Sequence, residues 1–240
     1  MLEEAVILAG GFGTRLRDVV NDLPKPMAPV CGKPFLEYLF RYLQHQGVRR
    51  VVLSVGYLHE KIENHFGKRF GEIEIDYFVE KEPLGTGGGI RAGLTKCKSE
   101  QVLVLNGDTF FDIPLSRLES VQSHECRVAT IALHKVQDAS RYGTVEIKEG
   151  TPLIAGFREK DSTKKGESYI NAGVYIIERQ KFLAMTPENT AFSLETDFFI
   201  PSLEKSPVCY AVFNDNPYFI DIGIPSDYQK ANEDFRQFRY

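Results

Sequence analysis

The 240-residue sequence predicts an α/β fold: a doubly wound, mostly parallel, Rossmann-like sheet to which the second half of the chain adds antiparallel strands. In the first 110 residues, short apolar runs alternate with segments of helical periodicity, the pattern of parallel strands joined by helical crossovers. Several of those runs are continuously apolar, as strands buried on both faces are. Beyond residue 111 strand-like runs succeed one another with few helices between, which implies antiparallel pairing around a pocket.

Taken in order, residues 5–8 form an apolar run closed by Gly10 and Gly11, a buried strand entering a turn. Leu36, Leu39, Phe40 and Leu43 recur at helical spacing, with Gly47 placed to end that helix. Val51, Val52, Leu53 and Val55 make a second strand, and residues 57–66 suit another helix. Ile73, Ile75, Tyr77 and Val79 then alternate with Glu72, Glu74, Asp76 and Phe78 as a third strand. Gly85, Gly87, Gly88 and Gly89 read as a second glycine-rich loop before Ile90, and the apolar run 102–105 ends at Asn106-Gly107-Asp108. Residues 128–133, 145–147, 153–157 and 173–177 are strand-like. Leu194, Phe198 and Leu203 suit a helix bent by Pro201, and Tyr228, Ala231, Phe235 and Phe238 give a closing helix. With no linker, repeat or low-complexity tract, residues 1–240 read as one domain.

Bulk properties narrow the function. The formal net charge is -4, whereas nucleic-acid binders need a surplus of Lys and Arg to displace counterions. A small anionic ligand needs only a local basic patch. No apolar run approaches the roughly 20 residues of a membrane span, and the N-terminus lacks the basic start and cleavage region of a signal peptide, so a cytoplasmic protein without a membrane partner is expected. The cysteines at 31, 97, 126 and 209 show neither a CxxC pair nor a nearby His and read as buried free thiols. His45, His59, His65, His124 and His134 show no catalytic spacing and read as surface or interface residues. No residue pattern decides between a monomer and a homo-oligomer.

Gly10-Gly11-Phe12-Gly13-Thr14-Arg15-Leu16 follows a strand, and consecutive free N–H groups in such a turn form an anion-binding nest. Its spacing is neither GxGxxG nor GxxxxGK[ST], and neither pattern occurs elsewhere. The Arg15 guanidinium, set just after the cradle, suits paired hydrogen bonds to triphosphate oxygens. Ten residues on, Pro24 and Pro26 hold the chain on both sides of Lys25, which is either a solvated loop charge or an ammonium aimed at a phosphate.

The order Gly10 to Leu16, Pro24-Lys25-Pro26-Met27, Gly32-Lys33-Pro34 and Leu36-Glu37-Tyr38 resembles the sugar-1-phosphate nucleotidyltransferases. Glu82-Pro83-Leu84-Gly85-Thr86, Leu105-Asn106-Gly107-Asp108, Asn171-Ala172-Gly173-Val174-Tyr175 and Asp221-Ile222-Gly223-Ile224-Pro225 follow in family order, so the resemblance spans nearly the whole chain. Within the family, residues 17–23 and Phe192-Ser193-Leu194-Glu195 are similar to the D-glycero-α-D-manno-heptose 1-phosphate guanylyltransferases.

This resemblance implies that GMP passes from GTP to a sugar 1-phosphate, most closely the heptose, releasing pyrophosphate and a nucleotide sugar for surface polysaccharide synthesis. Uridylyl-, thymidylyl- or mannose-1-phosphate guanylyl transfer, and a catalytically silent nucleotide-sugar-binding homologue, stay open as alternatives. The nucleophile, a sugar phosphate oxygen, is already anionic. The difficulty is electrostatic, since one anion must meet another in line, and no Ser, Cys or His nucleophile is required. The resemblance implies that Asp108 and Asp221 hold Mg²⁺, that Arg15 stabilises the leaving pyrophosphate, and that Lys25 stabilises charge around the α-phosphorus. Residues of about 1–110 form the nucleotide half and about 111–240 the sugar-phosphate half.

The nucleotide residues implied are Leu8, Ala9, Gly10, Gly11, Gly13, Thr14, Arg15, Glu80, Gly85 and Thr86. Glu80 falls at the family's base-reading position. A carboxylate only accepts hydrogen bonds, and guanine offers two adjacent donors, whereas uracil and thymine offer one and are not excluded. The other reading of Glu80 is a solvated charge ending an edge strand. For the sugar phosphate the resemblance implies Gly143, Glu159, Lys160 and Asn171, although Asp161 stands where relatives carry proline after Glu-Lys. Tyr142 either closes that pocket or is a core aromatic.

Overall fold

Along three neighbouring strands, successive apolar side chains sort into two separate cores, one on each face of a single sheet. Ala5, Ile7, Val51, Leu53, Leu103 and Leu105 enter one core, while Val6, Val52, Val102 and Val104 enter the other. This is the period of two expected of a pleated strand, and with both faces covered it leaves a continuous apolar run in the sequence. The computed structural model describes residues 2–11, 22–123, 128–161, 166–205, 208–213 and 215–240.

The first half runs β1 (Glu4–Ala9), the short β2 (Pro29–Val30) and β3 (Lys33–Pro34), α1 (Phe35–His45), β4 (Arg50–Val55), α2 (His59–Phe66), β5 (Arg69–Phe70), β6 (Ile73–Val79), α3 (Gly85–Thr95) and β7 (Gln101–Asn106). The second runs β8 (Thr109–Phe111), α4 (Leu115–Ser123), β9 (Ala129–Val136), β10 (Thr144–Ile147), β11 (Ile154–Arg158), β12 (Ser168–Glu178), α5 (Arg179–Met185), α6 (Ile200–Ser202), β13 (Val208–Val212), β14 (Phe219–Asp221) and α7 (Pro225–Asp234).

β1 pairs in parallel with β4 on one side and β7 on the other, and β4 pairs in parallel with β6. The chain therefore winds outward from β1 through β4 to β6, then returns across it to lay down β7. That reversal opens a crevice beyond the carboxyl ends of β1 and β7, the place where open α/β sheets bind ligands. β12 joins the far side of β7 antiparallel and carries β9 and β10, so both halves share one ten-stranded sheet. α1 and α2 pack on the first core, while α3, α5 and the turn around Phe198 and Phe199 pack on the second. After α7, Phe235 and Phe238 lie against Tyr38 at 4.7 Å between ring centroids, tying the end of the chain to α1.

Several elements differ from the sequence expectation. The second glycine-rich segment is the start of α3, not a loop, and Gly87, Gly88 and Gly89 are buried. Glycine is a poor helix former, but a Cβ at Gly88 would lie 2.7 Å from the Thr190 carbonyl oxygen, so close packing selects it. α2 starts at His59, two residues later than expected, because Leu58 takes a left-handed φ of 56°. The expected bent helix begins as a π-helical segment, Leu194–Phe199, capped by Ser193, and continues as α6 with Pro201 in its first turn. Cys31 is exposed, unlike the buried Cys97 and Cys209, and Cys126 lies outside the described residues. His134 is half-buried rather than superficial and stacks on Phe219 at 4.7 Å, its pKa lowered by burial.

Candidate active site

A cleft of about 410 Å³ opens at the carboxyl ends of β1 and β7. Leu8, Ala9 and Gly11 line it from β1 and the turn after it, and Asn106 and Asp108 line it from the end of β7. Gly107 makes this junction possible: its N–H donates to the Leu8 carbonyl at 2.8 Å, and a Cβ there would sit 2.5 Å from that oxygen. Thr86 contributes from the first turn of α3, whose N-terminus favours negative charge. Lys25 and Pro26 come from a 3₁₀ turn, Lys25–Met27, and Asp221 and Gly223 from the end of β14.

Three charges meet in the cleft. The Lys25 ammonium donates to Asp108 Oδ2 at 2.5 Å and to Asp221 Oδ1 at 3.4 Å. Register brings the carboxylates together, because β14 pairs antiparallel with β8 and sets Asp221 opposite Thr109, the neighbour of Asp108. Gly223 then lets Asp221 turn inward: its N–H donates to Asp221 Oδ1 at 2.7 Å, and a Cβ would fall 3.0 Å from Lys25 Nζ. Burial disfavours the Lys25 ammonium, but the two carboxylates outweigh it and raise its pKa. Burial, then the charge of Asp108, pushes the Asp221 carboxyl above its usual range, with Lys25 and the Gly223 N–H opposing. Asp221 Oδ2 has no hydrogen-bond donor among the described residues.

Behind Gly10 lies a smaller hollow of about 240 Å³, lined by Gly10, Gly56, Tyr57 and residues 80–83. Glu80 is half-buried here. Its Oε1 accepts from Ser54 Oγ at 2.9 Å and its Oε2 from the Leu84 N–H at 3.1 Å, so it ties the end of β6 to the start of α3. Each oxygen keeps a second lone pair. A Cβ at Gly10 would lie 3.0 Å from Oε1, so the glycine permits the carboxylate to reach the strand end.

Seven of the anticipated residues line the main cleft together: Leu8, Ala9, Gly11, Lys25, Thr86, Asp108 and Asp221. Gly10 and Glu80 line the smaller hollow, and Gly85 opens α3 with a φ of 69°. Gly13, Thr14 and Arg15 lie outside the described residues. Gly143, Glu159, Lys160 and Asn171 line neither hollow. A Cβ at Gly143 would lie 3.0 Å from the Arg158 carbonyl oxygen at the end of β11, Glu159 and Lys160 follow there exposed, and half-buried Asn171 donates to Glu195 at 3.4 Å. Tyr142 is half-buried and stands under the Arg141 guanidinium at 5.5 Å, with Arg141 paired to Asp227 of α7 at 2.6 Å. Asn106 and Gly223 also line the cleft, and Glu195 packs on Asn171, although the sequence offers no separate reason to single them out. Their signal is positional only, each lying within two residues of an anticipated residue or packing on one.

A family model described as nucleotidyl transferase matches residues 4–237. The chain is 43% identical over 236 residues, 98% of its length and 99% of the relative's, to the D-glycero-alpha-D-manno-heptose 1-phosphate guanylyltransferase of Aneurinibacillus thermoaerophilus. It is 45% identical over 225 residues, 94% of its length and 96% of the relative's, to the protein of the same name from Campylobacter jejuni. Among solved structures, HddC from Yersinia pseudotuberculosis complexed with GMP-PN superimposes with a TM-score of 0.83 at 37% identity, covering 98% of this chain and all of that one. No helix among the described residues is long and apolar enough to cross a membrane. Because the match extends over both halves of the sheet and every strand that shapes the cleft, the chain belongs to the nucleotidyl transferase family.

Proposed function

We propose that the protein transfers GMP from GTP to a sugar 1-phosphate, D-glycero-α-D-manno-heptose 1-phosphate in the first instance, and releases pyrophosphate. The observation that carries this is the Lys25 ammonium held between Asp108 and Asp221 at the sheet's switch point. Fixed positive charge at that point lets the sugar phosphate oxygen approach the α-phosphorus, and its preorganisation avoids rearrangement in the transition state. The names of relatives 43% and 45% identical over nearly the whole chain support the choice of guanylyl and of heptose.

The donor set fits Mg²⁺. Two partly buried carboxylates flank Lys25, Asp221 Oδ2 lacks a donor among the described residues, and a hard cation of this size takes one or two carboxylates with phosphate oxygens and water. Among the described residues no group of three or more His, Cys, Asp or Glu gathers as a metal cluster, consistent with a site completed by the triphosphate. Bound there, the ion supplies charge neutralisation and alignment of the phosphates. Lys25, held in place by its carboxylates, would present its charge to the α-phosphate, backbone N–H groups of the glycine-rich turn after β1 would cradle the triphosphate, and Arg15 would hold the leaving pyrophosphate.

The guanine base would enter the hollow behind Gly10, where Glu80 accepts its ring N–H and exocyclic amine through the lone pairs left over from Ser54 and Leu84. Gly143, Glu159, Lys160 and Asn171 would hold the sugar phosphate. Initial rates with GTP, UTP, dTTP and CTP, each against heptose 1-phosphate and mannose 1-phosphate, test the reading. GTP with heptose 1-phosphate is expected to be fastest, with activity lost in a chelator and restored by Mg²⁺. Faster turnover with a pyrimidine triphosphate overturns the guanylyl assignment.

A further inference from the structure

We propose that the Glu195 carboxylate accepts hydrogen bonds from hydroxyl groups of the bound sugar and thereby helps select the sugar 1-phosphate, an inference that rests on the transferase reading above. Glu195 lies in the first turn of the π-helical segment Leu194–Phe199, and single π-turns concentrate at functional positions. The segment is keyed to the nucleotide half. The Gly87 N–H donates to the Phe192 carbonyl at 2.9 Å, the Phe192 N–H donates to the Leu84 carbonyl at 3.0 Å, and the Leu194 N–H donates to Thr86 Oγ1 at 2.9 Å. A Cβ at Gly85 would fall 2.6 Å from the Phe192 carbonyl oxygen, so the two strands of chain touch backbone to backbone. Glu195 is therefore set at a fixed offset from the first turn of α3, one residue beyond the last of these contacts.

Its carboxylate is under-used. Oε2 accepts one long hydrogen bond, 3.4 Å, from Asn171 Nδ2, and Oε1 has no donor among the described residues. Burial pushes its pKa up, with Asn171 opposing. A half-buried acceptor group left short of donors is unfavourable unless a ligand supplies them. Around it stand two of the residues proposed above for the sugar phosphate: among the described residues Asn171 is its one hydrogen-bond partner, and the position of a Gly143 Cβ is 3.6 Å from Oε1. A sugar ring there meets bare backbone at Gly143 and an acceptor at Glu195. Hydroxyls are the donors a sugar has, and a carboxylate only accepts. The alternative is that Glu195 does nothing but orient Asn171, and the experiment separates the two.

Pyrophosphate release is first measured for the wild-type protein with GTP and either heptose or mannose 1-phosphate. A wild type inactive on both overturns the guanylyl transfer proposed above before any variant is made, and this inference with it. With the better of the two substrates, Glu195→Ala is expected to raise the KM for the sugar 1-phosphate roughly ten- to hundredfold while the KM for GTP stays within about twofold. Glu195→Gln, which keeps the shape and one acceptor, is expected to fall between and to show whether the fold is intact. In addition, one monodeoxy sugar 1-phosphate should be penalised in the wild type and not in Glu195→Ala, because the missing hydroxyl and the missing carboxylate are the same contact. An unchanged sugar KM, an equal rise in the GTP KM, or deoxy penalties that are the same in both proteins overturns the proposal.

Discussion

At the switch point of the sheet, Lys25, Asp108 and Asp221 are locked to one another, and Gly107 and Gly223 let the backbone close around them. Beyond β7, where the antiparallel strands end, Glu159 and Lys160 stand exposed with no partner among the described residues, and Glu195 makes a single long hydrogen bond. The first region has its charges oriented before substrate arrives, so little reorganisation remains for the transition state. In the second, which the proposed function gives to the sugar phosphate, ordering of side chains would be left to the moment of binding. Damage to the first should therefore lower kcat, and damage to the second should raise the KM of one substrate.

The largest effect is expected where the charges meet. Lys25→Ala and Asp108→Ala should each lower turnover by about a hundredfold or more, since losing one preorganised group costs about 2.7 to 4 kcal/mol, while circular dichroism reports a folded protein. Wild-type turnover in either variant would break the comparison at its stronger end. Next comes Gly223→Ala, whose added methyl would crowd Asp221 Oδ1 at 2.8 Å and Lys25 at 3.0 Å. Turnover should fall about tenfold with the KM values little changed, read by steady-state kinetics.

On the looser side, Lys160→Ala should raise the sugar 1-phosphate KM by roughly tenfold and leave the GTP KM alone, because one charge-assisted hydrogen bond is worth about 1.5 to 3 kcal/mol. A matching fall in kcat with unchanged KM would assign Lys160 to the transition state instead. The smallest effect on catalysis is expected at the opposite end of β1. There the buried Glu4 carboxylate accepts from the Lys98 and Ser99 N–H groups and from Arg50. Burial alone raises its pKa, but these donors outweigh burial and hold it below 4.5. The resulting stability is complete above pH 4.5 and is lost as pH falls through the folded-state value. Glu4→Gln should cost about 1 to 3 kcal/mol in urea unfolding at pH 7 and flatten the acid limb of stability, with kcat at pH 7 unchanged.

The parallel half was legible because β1, β4 and β7 are buried on both faces, which leaves unbroken apolar runs that local composition reveals. Ordered motifs made Asp108 and Asp221 visible, but their meeting through β14 and β8 was not, since no local pattern announces a three-residue pairing across more than a hundred residues. The helical state of residues 85–89 was hidden for a different reason. Propensity argues against a helix there, and the packing that overrides it comes from Thr190 and Phe192. Glu80 shows the same limit at the site: its position was readable, but its bonds to Ser54 and Leu84 depend on how β4 and α3 approach.

The pairing of β14 with β8 also bears on how the protein comes into being. Lys25 and Asp221 are 196 residues apart, and contacts of such separation form late because closing so long a loop is entropically costly. A nascent chain that has emerged only as far as β12 contains Lys25 and Asp108 but lacks β14 and, with it, Asp221. Lys25 therefore gains its second carboxylate partner only once the C-terminal residues of the sequence have been made.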